Sequence, residues 1–526
     1  MNGPVTRADG TVELPVTRGG LRSAAGELLG AGHRLVLVAA HDDGAVGFHV
    51  VYAFAHPGTG LRTELVVRLG RQDPQVPSLA DLSFAAGRFE RSIRDTFGIE
   101  PQDHPRPRRL VLHDHWPEAW FPMRRDADPA PAFRPDEGSF SFLPVEGAGV
   151  YEIPVGPVHA GMIEPGHFRF SVVGETILRM KARLWFLHRG VEKLFEGRLP
   201  ADGMELAERI SGDTAVGHGL AYAMAVEGAL GLEVSEEDRL VRALLLELER
   251  LHNHVTDLGA MANDVGFGVV HVHAQRLRET LLRHNKAVTG HRLLRGGVGI
   301  GGARLLAPAD GELVARVAGE VADLVEITLG NSVVADRFTG TAVLMHEEAR
   351  SMGVLGYVAR ASGLDLDARR DHPFVDLGPR LRVCTREAGD VRARYDVRAE
   401  EVAVSAALVA DLGRRLAGRL GSGTGFGEVS GAGAGAGWPG PGPGVAGGGD
   451  VGGVVSARGL ALVEAWRGTA CHRVELDGVG RLARVAVVDP SFFTWPALPV
   501  ALADTIVPDF PLANKSFNQS YAGNDL

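Results

Sequence analysis

The sequence predicts an α+β protein: a small N-terminal α/β domain followed by a mainly α-helical bundle with β pieces at its periphery. Three observations lead there. The 526 residues exceed what a single hydrophobic core organises. Apolar runs of strand length crowd the N-terminal region, whereas apolar residues between 235 and 420 recur at helical spacing. Between these regimes, residues 102–148 are rich in Pro, His and Arg and have little periodicity, as an extended strap would. The expected division is a domain at 1–130, a strap or linker at 131–149, and a second domain at 150–526.

A helical opening at 21–29 leads into strand-like runs at 34–40, 48–55 and 63–69. A helix follows at 78–97, stopped by Gly98 and then Pro101. In the second domain, residues 176–196 put Ile177, Met180, Leu184, Leu187, Val191 and Leu194 on one helical face. The helix at 235–261 opens with Ser235-Glu-Glu-Asp238, resembling a capping box, and turns Leu244, Leu248, Leu251, Val255 and Leu258 inward. Further helices are predicted at 273–289, 310–329, 341–362 and 399–420. Residues 421–453 are dominated by glycine, with Pro439, Pro441 and Pro443, and are predicted to be a disordered insertion. Strands return at 459–465 and 474–488. The tail, 489–526, has many aromatic, Pro and Asn residues and few charges, so it is expected to pack against other elements.

Composition excludes several classes. A net charge of −10 argues against a nucleic-acid binder. Cys384 and Cys471 stand far apart, which rules out a disulfide framework and a Cys-ligated zinc or iron–sulfur site built from this chain alone. The N-terminus has no signal-peptide pattern, and no run of 18 apolar residues occurs. A cytoplasmic protein held at the membrane through partners is the expectation. Glu249-x-x-His252 and His271-x-His273 suggest metal ligands, but a di-iron bundle needs a second such helix, and none is present. Gly299-x-Gly301-Gly302 lacks the strand–helix unit and later acidic residue of a dinucleotide loop, so nicotinamide binding by this chain is not expected.

Three blocks carry a family resemblance. Glu90-Arg-Ser-Ile-Arg-Asp-Thr-Phe-Gly98, with His104-Pro105, Arg108-Arg109, Trp116 and Pro122-Met-Arg-Arg-Asp126, resembles the small hydrophilic subunit of complex I. Gly156-Pro-Val-His159, Glu164-Pro-Gly-His167, His188-Arg-Gly-Val-Glu-Lys193 and Glu208-Arg-Ile-Ser-Gly-Asp-Thr214 resemble the start of the large subunit shared by complex I and the NiFe hydrogenases. The match runs on through Arg250, His254, Asp264, Asp336-Arg337 and Arg360-Ala-Ser-Gly363. It ends with Trp466-Arg-Gly468 and Asp489-Pro-Ser-Phe-Phe-Thr494. The chain thus resembles a fused small-plus-large catalytic-arm subunit of the complex I and group 4 membrane-bound hydrogenase superfamily. Its tail is similar to energy-converting hydrogenase-related large subunits, of the hydrogenase-4 and formate hydrogenlyase type, that lack the nickel-binding cysteines.

The departures decide the chemistry that the resemblance implies. Hydrogenase large subunits hold nickel and iron through two CxxC pairs, and the matching positions here are Ser211 and Thr214, and Ser491 and Thr494. A hydroxyl stays protonated near neutral pH and is a poor donor to a soft metal, so neither nickel binding nor hydrogen turnover is expected. In complex I this location is a quinone-head pocket with a His from the early β-turn and a Tyr from the strip aligned with 211–214. His159 matches the first; Gly212 stands where the second aligns. Glu164, His159 and His167 are expected on one turn facing the vacated site, with Asp213 as a further acid. An adjacent carboxylate and imidazole pass protons near neutral pH.

His188, Arg189, Glu192 and Lys193 are expected to form one helical turn with i,i+4 charge pairs at the partner interface. The implied function is an electron- and proton-handling subunit of a membrane-associated oxidoreductase complex, positioned at the cytoplasmic face. It binds no cofactor itself, takes electrons from a 4Fe–4S cluster in a small partner subunit, works beside antiporter-like membrane subunits, and delivers to a quinone or another small acceptor. The alternative is a non-catalytic scaffold joining the cluster subunit to the ion-translocating membrane arm.

Overall fold

Apolar runs close to the N-terminus pair into one sheet before any helix bundle begins. The computed structural model describes residues 3–129, 131, 133, 142–159, 161, 163–420 and 457–526. Its first sheet has the order Val5–Thr6, Val12–Val16, Arg62–Leu69, Phe48–Ala55, Arg34–Asp42. Val12–Val16 runs parallel to Arg62–Leu69, and the other pairs are antiparallel. Phe48–Ala55 is buried along its whole length because both faces are covered. The helix Phe84–Phe97 packs onto this sheet. It starts later than the sequence pattern suggests, at Ser83, whose Oγ accepts the Ala86 N–H, and stops at left-handed Gly98.

The second domain opens with an antiparallel meander, Val150–Val155, His167–Val173 and Thr176–Arg183. Here the helix expected at 176–196 is wrong. A register shift between Ile177 and Arg179 turns both Ile177 and Met180 inward, so the strand shows an i,i+3 apolar spacing that imitates a helix. Only Val191–Phe195 is helical in that stretch.

The bundle consists of Ala215–Leu230, Glu236–Asp264, Gly268–Thr289, Gly311–Gly330 and Val391–Leu420. The Glu236–Asp264 helix begins at Ser235, whose Oγ accepts the Asp238 N–H. The helix expected over 341–362 is two helices, His346–Met352 and Gly356–Ala361. Gly353 and Gly356 break it with positive φ, and a Cβ on Gly356 meets the Arg467 carbonyl oxygen at 1.8 Å. This close approach seats the Trp466–Arg467 turn.

Strands Ala457–Ala465, Gly468–Leu476 and Leu482–Val488 form an antiparallel sheet against the Ala215–Leu230 helix. Gly459 lets strand and helix touch backbone to backbone, since a Cβ there stands 2.0 Å from the Ala225 carbonyl oxygen. The tail does pack. Its helices Pro490–Thr494, Ala497–Ala501, Phe510–Phe517 and Tyr521–Asp525 are largely buried. The Gly/Pro-rich stretch 421–453 and part of the strap at 131–149 lie outside the described residues. Among the described residues no helix is long and apolar enough to cross a membrane.

Candidate active site

Ser211, Thr214, Ser491 and Thr494, the four positions that the resemblance sets against hydrogenase cysteines, are all buried. Each hydroxyl is already engaged. Ser211 Oγ shares a 2.8 Å hydrogen bond with Ser520 Oγ and donates to Asp213 at 3.1 Å. Thr214 Oγ1 donates to Asp213 and accepts from Trp466 Nε1, both at 3.1 Å, and from Arg467 at 3.3 Å. Ser491 Oγ accepts the Ser520 N–H at 2.9 Å, and Thr494 Oγ1 accepts the Leu355 N–H at 3.4 Å. Asp489 Oδ1 accepts the Ser491 N–H at 2.7 Å, and its Oδ2 lies 2.9 Å from His218 Nε2.

Arg467 takes the central place. Its guanidinium makes a bidentate pair with Asp213 at 2.6 and 2.7 Å, donates to the Asn518 carbonyl at 2.6 Å and lies over the Trp466 ring, 3.9 Å from its centroid. Burial opposes ionisation of Asp213, yet the neighbouring Arg467 and the Ser211 and Thr214 hydroxyls hold its carboxyl down at about 2. These residues do not fit a nickel–iron centre. The hydroxyls are poor soft-metal donors, they are hydrogen-bonded to one another and to protein donors, and a fixed cation already stands among them.

In front of this wall lies an open cavity of about 760 Å³. Ser211, Gly212, Asp213 and Arg467 line it, whereas Thr214, Ser491 and Thr494 stand behind. His159 and Glu164 line it from the early loop; Glu164 Oε2 accepts the Ala522 N–H at 3.0 Å. His167 is not part of the lining. It begins a strand, its Nδ1 lies 3.1 Å from the Gly156 carbonyl, and its ring packs on Phe142.

The sequence pattern gave no role to Tyr521, Lys515 or Asp264, which share the cavity. Tyr521 brings a phenol to a chamber whose 208–214 strip has none. Burial lifts this phenol well above its ordinary pKa, and the charges of Glu164 and Asp525 add to the effect, so it remains a proton donor. The readable signal was the Asn-Gln-Ser-Tyr run in a tail with few charges.

The expected turn of His188, Arg189, Glu192 and Lys193 is not a single helical turn with i,i+4 pairs. His188 and Arg189 precede the helix, and all but Lys193 are held from distant elements. His188 Nδ1 lies 2.8 Å from the Asp525 carbonyl, and Arg189 donates to the Ile210 carbonyl at 2.8 Å. Glu192 pairs with Arg484 at 2.7 Å, and Lys193 with Glu196 at 2.7 Å. This set staples the tail and the last sheet to the site rather than pairing with itself.

Family matches agree with this architecture. Residues 16–132 match "Respiratory-chain NADH dehydrogenase, 30 Kd subunit", 264–422 match "Respiratory-chain NADH dehydrogenase, 49 Kd subunit", and 189–260 match "Nickel-dependent hydrogenase". The C/D subunit of the NADH-quinone oxidoreductase of Phocaeicola vulgatus is 30% identical over 70% of this chain and 76% of its own length. The chain belongs to the complex I-type C/D family.

Other relatives of this C/D-type chain are formate hydrogenlyase subunit 5 and hydrogenase-4 component G of Escherichia coli K12. Each is 35% identical, over 68% and 64% of this chain; the chain spans about 65% and 59% of their respective lengths. A chain of the membrane-bound sulfane sulfur reductase, an archaeal respiratory membrane complex, shares the fold with a TM-score of 0.61 at 24% identity, covering 73% of this chain and all of that one. The relatives are thus subunits of oxidoreductase complexes.

Proposed function

We propose that this C/D-type chain works in a membrane-associated oxidoreductase complex. It receives electrons from a 4Fe–4S cluster on a small partner subunit and supplies protons to an acceptor held in the cavity, a quinone head group or a comparable dicarbonyl. Antiporter-like membrane subunits are the further partners, and the cytoplasmic face of the membrane is the place of work. The observation that carries the reading is the exchange of a metal grip for a fixed Arg467–Asp213 pair beside an open chamber lined by His159, Glu164 and Tyr521.

Reducing a quinone needs protons at two oxygens as well as electrons. Tyr521 and His159 offer the donors, and Glu164, exposed at the rim, exchanges protons with water. Arg467 is pinned by Asp213, the Asn518 carbonyl and the Trp466 ring, so the ion pair sets a fixed dipole, rather than a mobile charge, in the wall of the chamber. The aliphatic and aromatic side chains of Val155, Ile163, Phe170 and Phe510 give the chamber an apolar wall suited to a ring.

In the assembled complex, Tyr521→Phe and Glu164→Gln are each expected to slow quinone reduction about a hundredfold, within the range of general acid–base assistance. Co-purification of the partner subunits should be unchanged. Undiminished turnover in both variants, with the assembly intact, would leave the chain as a scaffold.

A further inference from the structure

At one corner of the N-terminal sheet sits a group of ligating side chains that the proposed reaction leaves unused. Antiparallel pairing of Arg34–Asp42 with Phe48–Ala55 sets His41 opposite His49, so both imidazoles leave the same face of the sheet. Their ring centroids are 5.0 Å apart. Asp43, just past the strand end, closes the group: its Oδ1 lies 2.9 Å from His41 Nδ1, and its Oδ2 lies 2.8 Å from His49 Nδ1. One ligand atom from each of the three falls within 4.8 Å of the others. Among the described residues no other cluster of this kind occurs.

A fourth residue arrives from the C-terminal sheet, 426 positions away. Glu475 is fully buried, and its Oε1 lies 3.0 Å from His49 Nε2. Among the described residues its Oε2 has no hydrogen-bond partner, and it points to the cluster, 3.9 Å from His41 Nδ1. An unpartnered carboxylate oxygen in such a place is costly unless something positive meets it. Arg473 bonds Glu475 only through Oε1, which fixes the carboxylate and leaves Oε2 free.

A cation entering the cluster would let His49 keep its Nε2–H on Glu475, 3.0 Å away, and turn its Nδ1 lone pair, now 2.8 Å from Asp43 Oδ2, to the ion. An imidazole held by a carboxylate behind it and a lone pair in front is the usual support of a metal-bound histidine. The cluster is buried except for the Asp43 side chain, which is 16% exposed and provides an entry from solvent.

We propose that His41, His49 and Asp43 bind a divalent cation of the zinc class, with Glu475 orienting His49 and bringing Oε2 within reach of the ion. Two imidazoles with carboxylate oxygen suit such borderline cations and not the soft centre of the aligned cysteine positions. The ion clasps the N-terminal sheet to the last sheet of the second domain, so its binding adds to the stability of the fused chain.

The test uses the full chain, produced without an affinity tag, stripped with a chelator, incubated with zinc chloride, desalted and analysed by plasma mass spectrometry. The wild type should retain one zinc per chain and melt at a higher temperature with it. Cobalt in place of zinc should give visible ligand-field bands. Asp43→Asn and His41→Gln should lose the retained metal, and Glu475→Gln should weaken retention about 10- to 100-fold. Circular dichroism of the metal-free wild type and the near-isosteric variants verifies folding. A folded wild type that retains no zinc overturns the proposal, leaving His49 as an imidazolium between two acids. Retention undiminished in both Asp43→Asn and His41→Gln overturns it too, because the metal then lies elsewhere.

Discussion

Replacing Arg360 with Met is expected to destabilise the second domain by roughly 3–5 kcal/mol, the cost of leaving buried charges without their partner. Arg360 is fully buried and donates to Glu401 at 2.9 Å and to Glu464 at 2.8 Å. Glu401 is also 2.7 Å from His254 Nε2, and Arg369 joins Glu247 at 3.0 Å and Asp367 at 2.6 Å. Burial alone raises the Glu401 carboxyl pKa, yet Arg360 and His254 hold it well below the ordinary value. Without the Arg360 guanidinium, Glu401 keeps only His254 and, at 3.6 Å, Arg250, and Glu464 loses its ion-pair partner, so the buried acids must stay ionised with less compensation or take up protons, and both routes disfavour the fold. Because the network ties the Glu236–Asp264 and Val391–Leu420 helices to the Ala457–Ala465 strand, the loss should appear as a lower thermal midpoint and faster proteolysis. A midpoint equal to that of the wild type would show that the network is not the tie.

Arg467→Met is expected to have the second-largest effect, on turnover and acid stability together. The variant leaves Asp213 beside the cavity without its bidentate partner and removes the cation stacked on Trp466. The stability loss at neutral pH should be roughly 2 kcal/mol, as for a hydrogen-bonded charge, kept modest because the Asp213 side chain is 41% exposed. The sign with pH is fixed. Asp213 has a folded pKa near 2, below its ordinary 3.8, so its contribution is complete above about 4 and is lost as pH falls through 2. The gap between wild type and variant should therefore close over that acid window. Acid unfolding curves checked against quinone turnover measure both parts; a gap independent of pH would remove the ion pair from the explanation.

Much of the architecture was legible because local signals agreed with tertiary need. Ser235 as a cap and the leucines behind it mark a helix that is there, and Gly98 marks a stop that is there. Where the reading failed, two periodicities competed. A bulge gave the Thr176–Arg183 strand a helical spacing, and two left-handed glycines cut the 341–362 helix in places where the apolar pattern ran on. At the site, His159 and Glu164 carried a local motif and do line the cavity, whereas His167 begins a strand beside it. Tyr521 and Arg467 reach the chamber from the last part of the chain, and nothing in their neighbourhood announces a distance to residue 213. The ionic core was invisible for the same reason, since Arg360 and Glu464 are 104 positions apart. So was the His41–His49 cluster, which exists only through strand register and a carboxylate from the other end of the chain.

The central claim is that hydrogen-bonded hydroxyls and the Arg467–Asp213 pair stand where thiolates grip a metal in the nickel enzymes. The most direct measurement is the nickel content of tag-free complex grown with nickel, in an Asp43→Asn background so that the N-terminal histidines hold no ion. No nickel above the buffer background is the predicted result. Nickel retained in a one-to-one ratio with this chain through desalting would contradict it.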